Sequence, residues 1–296
     1  MRLSTGDKVF QTLIYASLVI LGIVMFYPFW NSLVISFNEG RDTALGGVTI
    51  WPRAFTLENY NVVFKDTRLL NSFWISVMRT VIGTILSVFV TSLLAYGMSK
   101  RDLQLRNYYM IFFIVTMFFS GGLIPTFLLV RNLGLMNTFW VMIIPGLISV
   151  YHMIIFRTFF SALPDGLEES AKIDGCSNYG IFFRIVVPIS GPIIATIGLF
   201  TAVGHWNDWF TGAIYISKDE LLPIQTLLRQ IMNSNIMTEM SSGNAIAMEH
   251  INRNRSITTK SLLMATMMVA TIPIILTYPF LQKYFVKGVL IGSIKG

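Results

Sequence analysis

Residues 163–188 read LPDGLEESAKIDGCSNYGIFFRIVVP, and they lie between two long apolar runs. A polar interruption in an apolar chain is ordinarily a plain connection. This one carries the pattern of two short helices. Asp165 is placed to cap the first, and Glu168 three residues later completes a capping-box-like pair. Gly175 stands where a helix end favours a left-handed residue. The second helix, over about residues 177–187, gathers Ile181, Phe182, Ile185 and Val186 on one side. Pro188 is expected to stop it. A segment that only joined its neighbours would not need this order.

The flanking runs set the class. The chain has 296 residues, 54% hydrophobic and 12% charged, with a mean hydropathy of +0.64. Soluble domains carry about 25% charged residues, so charge is depleted about twofold. Several runs exceed the ~18 apolar residues that mark a spanning helix. The fold class expected is an all-α polytopic membrane protein with six transmembrane helices, over about 9–37, 72–98, 108–130, 139–160, 189–214 and 261–285. The stretches 38–71 and 215–260 read as long polar loops, and residues 1–296 as one membrane domain. The first run is too long for the apolar core of a signal peptide, and FYPFWNS lacks the small residues of a cleavage site, so it reads as an uncleaved span.

Basic residues give the expected orientation. Arg2 and Lys8, Lys100, Arg101 and Arg106, Arg157, Lys172 and Arg184, and Lys283, Lys287 and Lys295 all fall on one side, while the short loop opposite holds only Arg131. By the positive-inside rule, both termini, the 99–107 loop and the 163–188 segment are cytoplasmic, and the two long loops are external. The net charge of +7 is accounted for by this bias, and no basic-aromatic cluster points to nucleic acid. A single cysteine, Cys176, excludes an internal disulfide, and His152, His205 and His250 have no metal-ligand spacing. No nucleophile motif, phosphate loop or carboxylate pair appears, so neither catalysis nor a cofactor is expected in this chain.

The segment is similar to a known family. Glu169, Ser170 and Ala171, then Gly175, Ile185 and Pro188 follow the spacing EAA-x3-G-x9-I-x-L-P, with Ser170 in place of Ala and Val187 in place of Leu. That loop marks the transmembrane subunits of bacterial ABC importers that use a substrate-binding protein. NSFWISVMRTVIGT, GGLIPTFLLVRNLGLMNTFWVMIIPG and HWNDWF resemble the carbohydrate-permease branch that contains MalG, within it the LplC/YtcP-like subgroup associated with complex oligosaccharides.

The resemblance implies a type I importer permease fold in the bacterial cell membrane. It implies an EAA coupling helix in which Glu168, Glu169, Ser170, Ala171, Asp174, Gly175, Ile185 and Pro188 serve ATPase docking, Glu169 against a basic group. It implies as partners a second related permease, two ATP-binding subunits that hold the ATP and magnesium, and an extracytoplasmic sugar-binding protein. The rival expectations are the same fold with a non-sugar solute, and a secondary transporter.

Two in-span features have paired readings. Trp206, Asn207, Asp208 and Trp209 read either as a substrate path, with hydroxyl partners beside aromatic faces, or as an interfacial aromatic belt. Arg79 reads as part of that path, as a side chain that snorkels to the interface, or as a sign that span two starts later. Gly121, Gly122 and Pro125 read as a kink or as small-residue packing.

Overall fold

The structure, a computed structural model, describes residues 4–241 and 257–293; Arg2, His250 and Lys295 lie outside them. The described residues are helical, with no strand and one isolated bridge between Asn38 and Phe55. Three helices are each long and apolar enough to cross a membrane within Gly6–Ser36, Thr67–Ser99 and Thr259–Thr277. They belong to α1 (Thr5–Ser36), α4 (Thr67–Ser99) and α14 (Thr259–Ser293).

The other three crossings are broken. Helix α5 (Arg106–Phe118) and α6 (Leu123–Asn132) meet at 110°. The break is made by Gly121 and Gly122, the latter at φ 82°, where a Cβ would be strained. Pro125 follows in the first turn of α6, where its missing N–H is one that needs no partner. In span four, 3₁₀ turns over Phe139–Met142 and Ile144–Gly146, with Pro145 inside the second, meet α7 (Val150–Ser161) at 52°. After α7, α8 (Asp165–Ile173) and α9 (Asn178–Ile181) lie in the patterned segment.

The second patterned helix runs further than expected. It passes from α9 through a π-helical turn, Phe182–Val186, into α10 (Val187–Ile189), and then turns by 83° into α11 (Gly191–Asn207). Pro188 therefore does not stop it. Pro188 occupies the first turn of α10, and the break falls at Ser190, where Pro192 in turn lacks the N–H that would continue the ladder. Helix α12 (Phe210–Tyr215) and α13 (Ile224–Ser241) precede α14, α13 giving helical form to part of the stretch expected as a loop.

The chain divides into two compact units: Met1–Leu70 with Leu228–Ile272, and Asn71–Leu227 with Pro273–Gly296. In the first, the polar stretch after α1 is fixed by a buried network together with α2 (Gly40–Ala44) and α3 (Glu58–Lys65). Asn59 Nδ2 donates to the Ser36 and Asn38 carbonyls at 3.0 and 2.9 Å, and its Oδ1 accepts from Ser261 Oγ at 2.9 Å. Asn38 donates to Thr43 Oγ1 and Asp42, and accepts from the Ala54 N–H. Arg53 Nε reaches the same Asp42 carboxylate at 3.0 Å. Such a network specifies one arrangement because each buried group is satisfied.

In the second unit, cross-chain bonds fix which ends of the spans lie together. At one end, Lys100, after span two, pairs with Glu168, after span four. At the other, Asn137, before span four, accepts from Ser217 N and donates its own N–H to Tyr215 O, while Ser76 Oγ accepts from Ile224 N. This is the alternation that successive crossings require. The larger core cluster joins Tyr96, Met98, Met153, Phe156, Phe160, Ala171, Phe182 and Ile197.

Candidate coupling segment and membrane cavity

Helix α8 is built from its ends. Asp165 does not cap it: the N-cap is Pro164, with no side-chain cap bond, and Asp165 is the first helical residue. Its carboxylate still suits the positive helix end, as does that of Glu168. Glu168 does not complete a capping box but forms an ion pair with Lys100. The C-terminus is a Schellman motif. Cys176 N donates to Ala171 O at 2.9 Å and Gly175 N to Lys172 O at 3.0 Å, with Gly175 at φ 78°. Ser177 then caps α9, its Oγ accepting from Gly180 N at 3.2 Å.

The motif residues separate into two groups. Ala171 faces the chain's own core at 6% exposure. Ile185 is half-buried in the same cluster. Glu169, Ser170, Asp174, Gly175 and Pro188 are exposed. Ile173 is 86% exposed and Leu167 40%, an apolar pair beside Glu169. Ser170, expected from the resemblance to stand in place of Ala, turns its hydroxyl back to the Gly166 carbonyl at 2.7 Å. The hydroxyl is satisfied within the helix, so the substitution adds no unpaired polar group to this surface.

The residues of the expected path also separate. Arg79 does not snorkel. It is buried to 2%, and its guanidinium bonds the Asp208 carbonyl at 2.8 Å and pairs with the Asp208 carboxylate. Asp208 stands in the gap between α11 and α12, and its Oδ1 accepts from Phe210 N at 3.0 Å and Thr211 N at 3.1 Å. One carboxylate thus caps α12 and neutralises the buried arginine. Arg79 and Asp208 both line a cavity of about 450 Å³. Around it stand Ser149, His152, Thr201, His205 and Thr211, with Phe200, Phe210 and Tyr215 as ring faces.

The neighbouring residues of the cluster do other work. Trp206 is buried and packs edge-to-face on Phe73, centroids 5.8 Å apart. Trp209 is outside the cavity lining, and its carbonyl accepts from Thr226 Oγ1. Asn207 is exposed at the end of α11. His205 lies against Gly83, where an added Cβ would come within 2.7 Å of its Nε2. Ser149, His152 and Thr201 carried no signal in the sequence beyond polarity within an apolar run; only the broken spans bring them together.

The second unit thus combines broken spans, a cavity with polar groups in its lining, and an ordered acidic helix, the features of a membrane transport subunit. The chain belongs to the family described as "Binding-protein-dependent transport system inner membrane component", which matches residues 83–291. It is a non-catalytic pore subunit of an ABC transporter. It is 42% identical over 290 residues to the polygalacturonan/rhamnogalacturonan transport system permease protein YtcP of Bacillus subtilis, covering 98% of this chain and 99% of that protein. It is 42% identical over 276 residues to Protein LplC of the same organism, covering 93% and 91%. A chain from the crystal structure of a bacterial ABC transporter involved in the import of the acidic polysaccharide alginate superposes with a TM-score of 0.86 at 26% identity, over 96% of this chain and 99% of that one.

Proposed function

We propose that this chain forms one half of the translocation pore of an importer for acidic oligosaccharides. A second, related permease supplies the other half, an external binding protein delivers the sugar, and two ATPase subunits dock on α8 from the cytoplasm and hold the ATP and magnesium. The observation that carries the reading is the cavity. Its polar lining consists of hydroxyls, two imidazoles and an arginine, and its one carboxylate, Asp208, is already occupied by Arg79 and two backbone N–H groups. The hydroxyls and imidazoles of this lining can bond sugar hydroxyls and carboxylates, and the aromatic faces of Phe200, Phe210 and Tyr215 can stack on ring carbons. The names of the relatives, polygalacturonan/rhamnogalacturonan for one and alginate for another, support the same cargo class.

The path residues are then Arg79 and Asp208 at the cavity wall, with Trp206, Asn207 and Trp209 supporting the strand of chain that carries Asp208. Glu169 docks against a basic group of the ATPase, flanked by Leu167 and Ile173. The test is ATP hydrolysis by the full transporter in nanodiscs with its binding protein. Oligogalacturonides are expected to stimulate hydrolysis. Stimulation by a small charged solute such as a polyamine or phosphate, with no response to oligosaccharides, would overturn the cargo.

A further inference from the structure

Helix α8 is not held only by its own flanking spans. Lys100, one residue past the end of α4, forms an ion pair with Glu168, and the same ammonium lies 3.8 Å from the centroid of the Tyr96 ring. Both partners are mostly buried, with side chains 19% and 23% exposed. Ala171, one turn further along α8, packs into the cluster that contains Tyr96 and Met98 of α4. Arg157 Nε of α7 donates to the Met98 carbonyl at 3.3 Å. A second pair, Arg101 with Asp165 at 3.4 Å, is well exposed and weak.

At the other end of its path, α4 carries Arg79, which holds both the carbonyl and the carboxylate of Asp208 at the break that walls the cavity. From Lys100 to Arg79 is 21 residues, about 32 Å of helix at ~1.5 Å per residue. Helix α4 crosses this distance without interruption, whereas the chain's spans three, four and five are each broken. A broken span absorbs displacement at its hinge; a continuous one delivers it.

We propose that α4 is the rod that carries motion of α8 to the cavity, with Lys100–Glu168 as its lower joint and Arg79–Asp208 as its upper one. Lys100 and Glu168 are positioning residues: neither lines the cavity. The proposal rests on the reading of α8 as the ATPase dock. Glu168 is then committed inward, which leaves the adjacent, exposed Glu169 to the partner.

The experiment uses the whole transporter in nanodiscs and measures the ratio of hydrolysis with loaded binding protein to basal hydrolysis. Lys100→Met is expected to assemble with wild-type basal hydrolysis, and Lys100→Met and Glu168→Gln are each expected to lose about fivefold or more of the stimulation ratio, the scale of an allosteric coupling of 1–3 kcal/mol. The exchange Lys100→Glu with Glu168→Lys is expected to restore most of it. An unchanged ratio in both single variants overturns the proposal. If the single variants do not assemble, the exchange variant decides: assembly with normal stimulation supports the joint, and assembly without it overturns the joint. Failure of the docking reading looks different, because ATPase subunits would then co-purify with the Glu169→Lys variant and respond to loaded binding protein as they do in wild type.

Discussion

Arg79 is the residue whose cost has to be explained. A guanidinium buried to 2% in an apolar bundle is tolerable only if its charge is met, and Asp208 meets it from 129 residues away. Removing one member leaves the other unpaired. Arg79→Met or Asp208→Asn alone should destabilise the folded chain by about 3 kcal/mol, and the double variant by clearly less than the sum, since Asn keeps the oxygen that caps α12. Thermal unfolding of the four chains in detergent checks this; additive losses would show that the pair is not coupled. Gly175 is a simpler case. At φ 78° with no neighbour within 4 Å of an added Cβ, it is constrained by backbone conformation and not by space. Gly175→Ala should therefore cost about 1–2 kcal/mol, and Gly175→Asn less, because Asn visits the left-handed region more readily. The measurement is recovery of assembled transporter, with Asn expected above Ala. The glycine was legible in the sequence because its role is local. The Arg79–Asp208 pair was not: both residues were visible as anomalies, but nothing in spacing joins two groups brought together only by tertiary packing.

The helices show the same division. Long apolar runs made α1, α4 and α14 plain, since length and hydropathy are what a bilayer selects. The breaks in spans three, four and five were marked by Gly121, Gly122, Pro145, Pro188 and Pro192, yet these residues say where a helix can bend, not by how much. At α8 the capping residues were recognised as a type and misplaced by one position, because Asp165 works equally well just inside the helix. Ala171 packs into the core cluster, a side that the pattern of so short a helix leaves undefined until the core is known. The contact of α4 with α11 yields a sharper expectation. His205 fills the space above Gly83, so these helices approach closely at that point. Gly83→Ala should push the imidazole aside and cost about 1–3 kcal/mol, a typical overpacking loss. His205→Ala in the same chain should recover part of that loss. Unfolding midpoints of the two single variants and the double check it, and a double variant no better than Gly83→Ala would place the strain elsewhere.

At the scale of the whole chain, contacts and charge supply different halves of the topology. The bonds of Lys100 to Glu168 and of Asn137 to Ser217 fix which connections share an end of the second unit, but bonds carry no sign. The sign comes from Lys and Arg. In described residues, Lys100, Arg101, Arg106, Lys172 and Arg184 gather at the α8 end, against Arg131 in the short loop opposite. By the positive-inside rule we propose that α8 is cytoplasmic, where an ATPase can reach it. The lone cysteine makes this measurable without tags. Cys176 is partly exposed and lies directly after α8. In a chain produced without ATPase subunits, a membrane-impermeant maleimide should label Cys176 in inverted vesicles and leave it unlabelled in intact cells stripped of their outer envelope. A Cys176→Ser chain with Thr49→Cys, an exposed position in the stretch after α1, should give the opposite pattern. Labelling of Cys176 from outside would invert the chain and remove α8 from the reach of any cytoplasmic ATPase, so this one accessibility decides whether the coupling reading can stand.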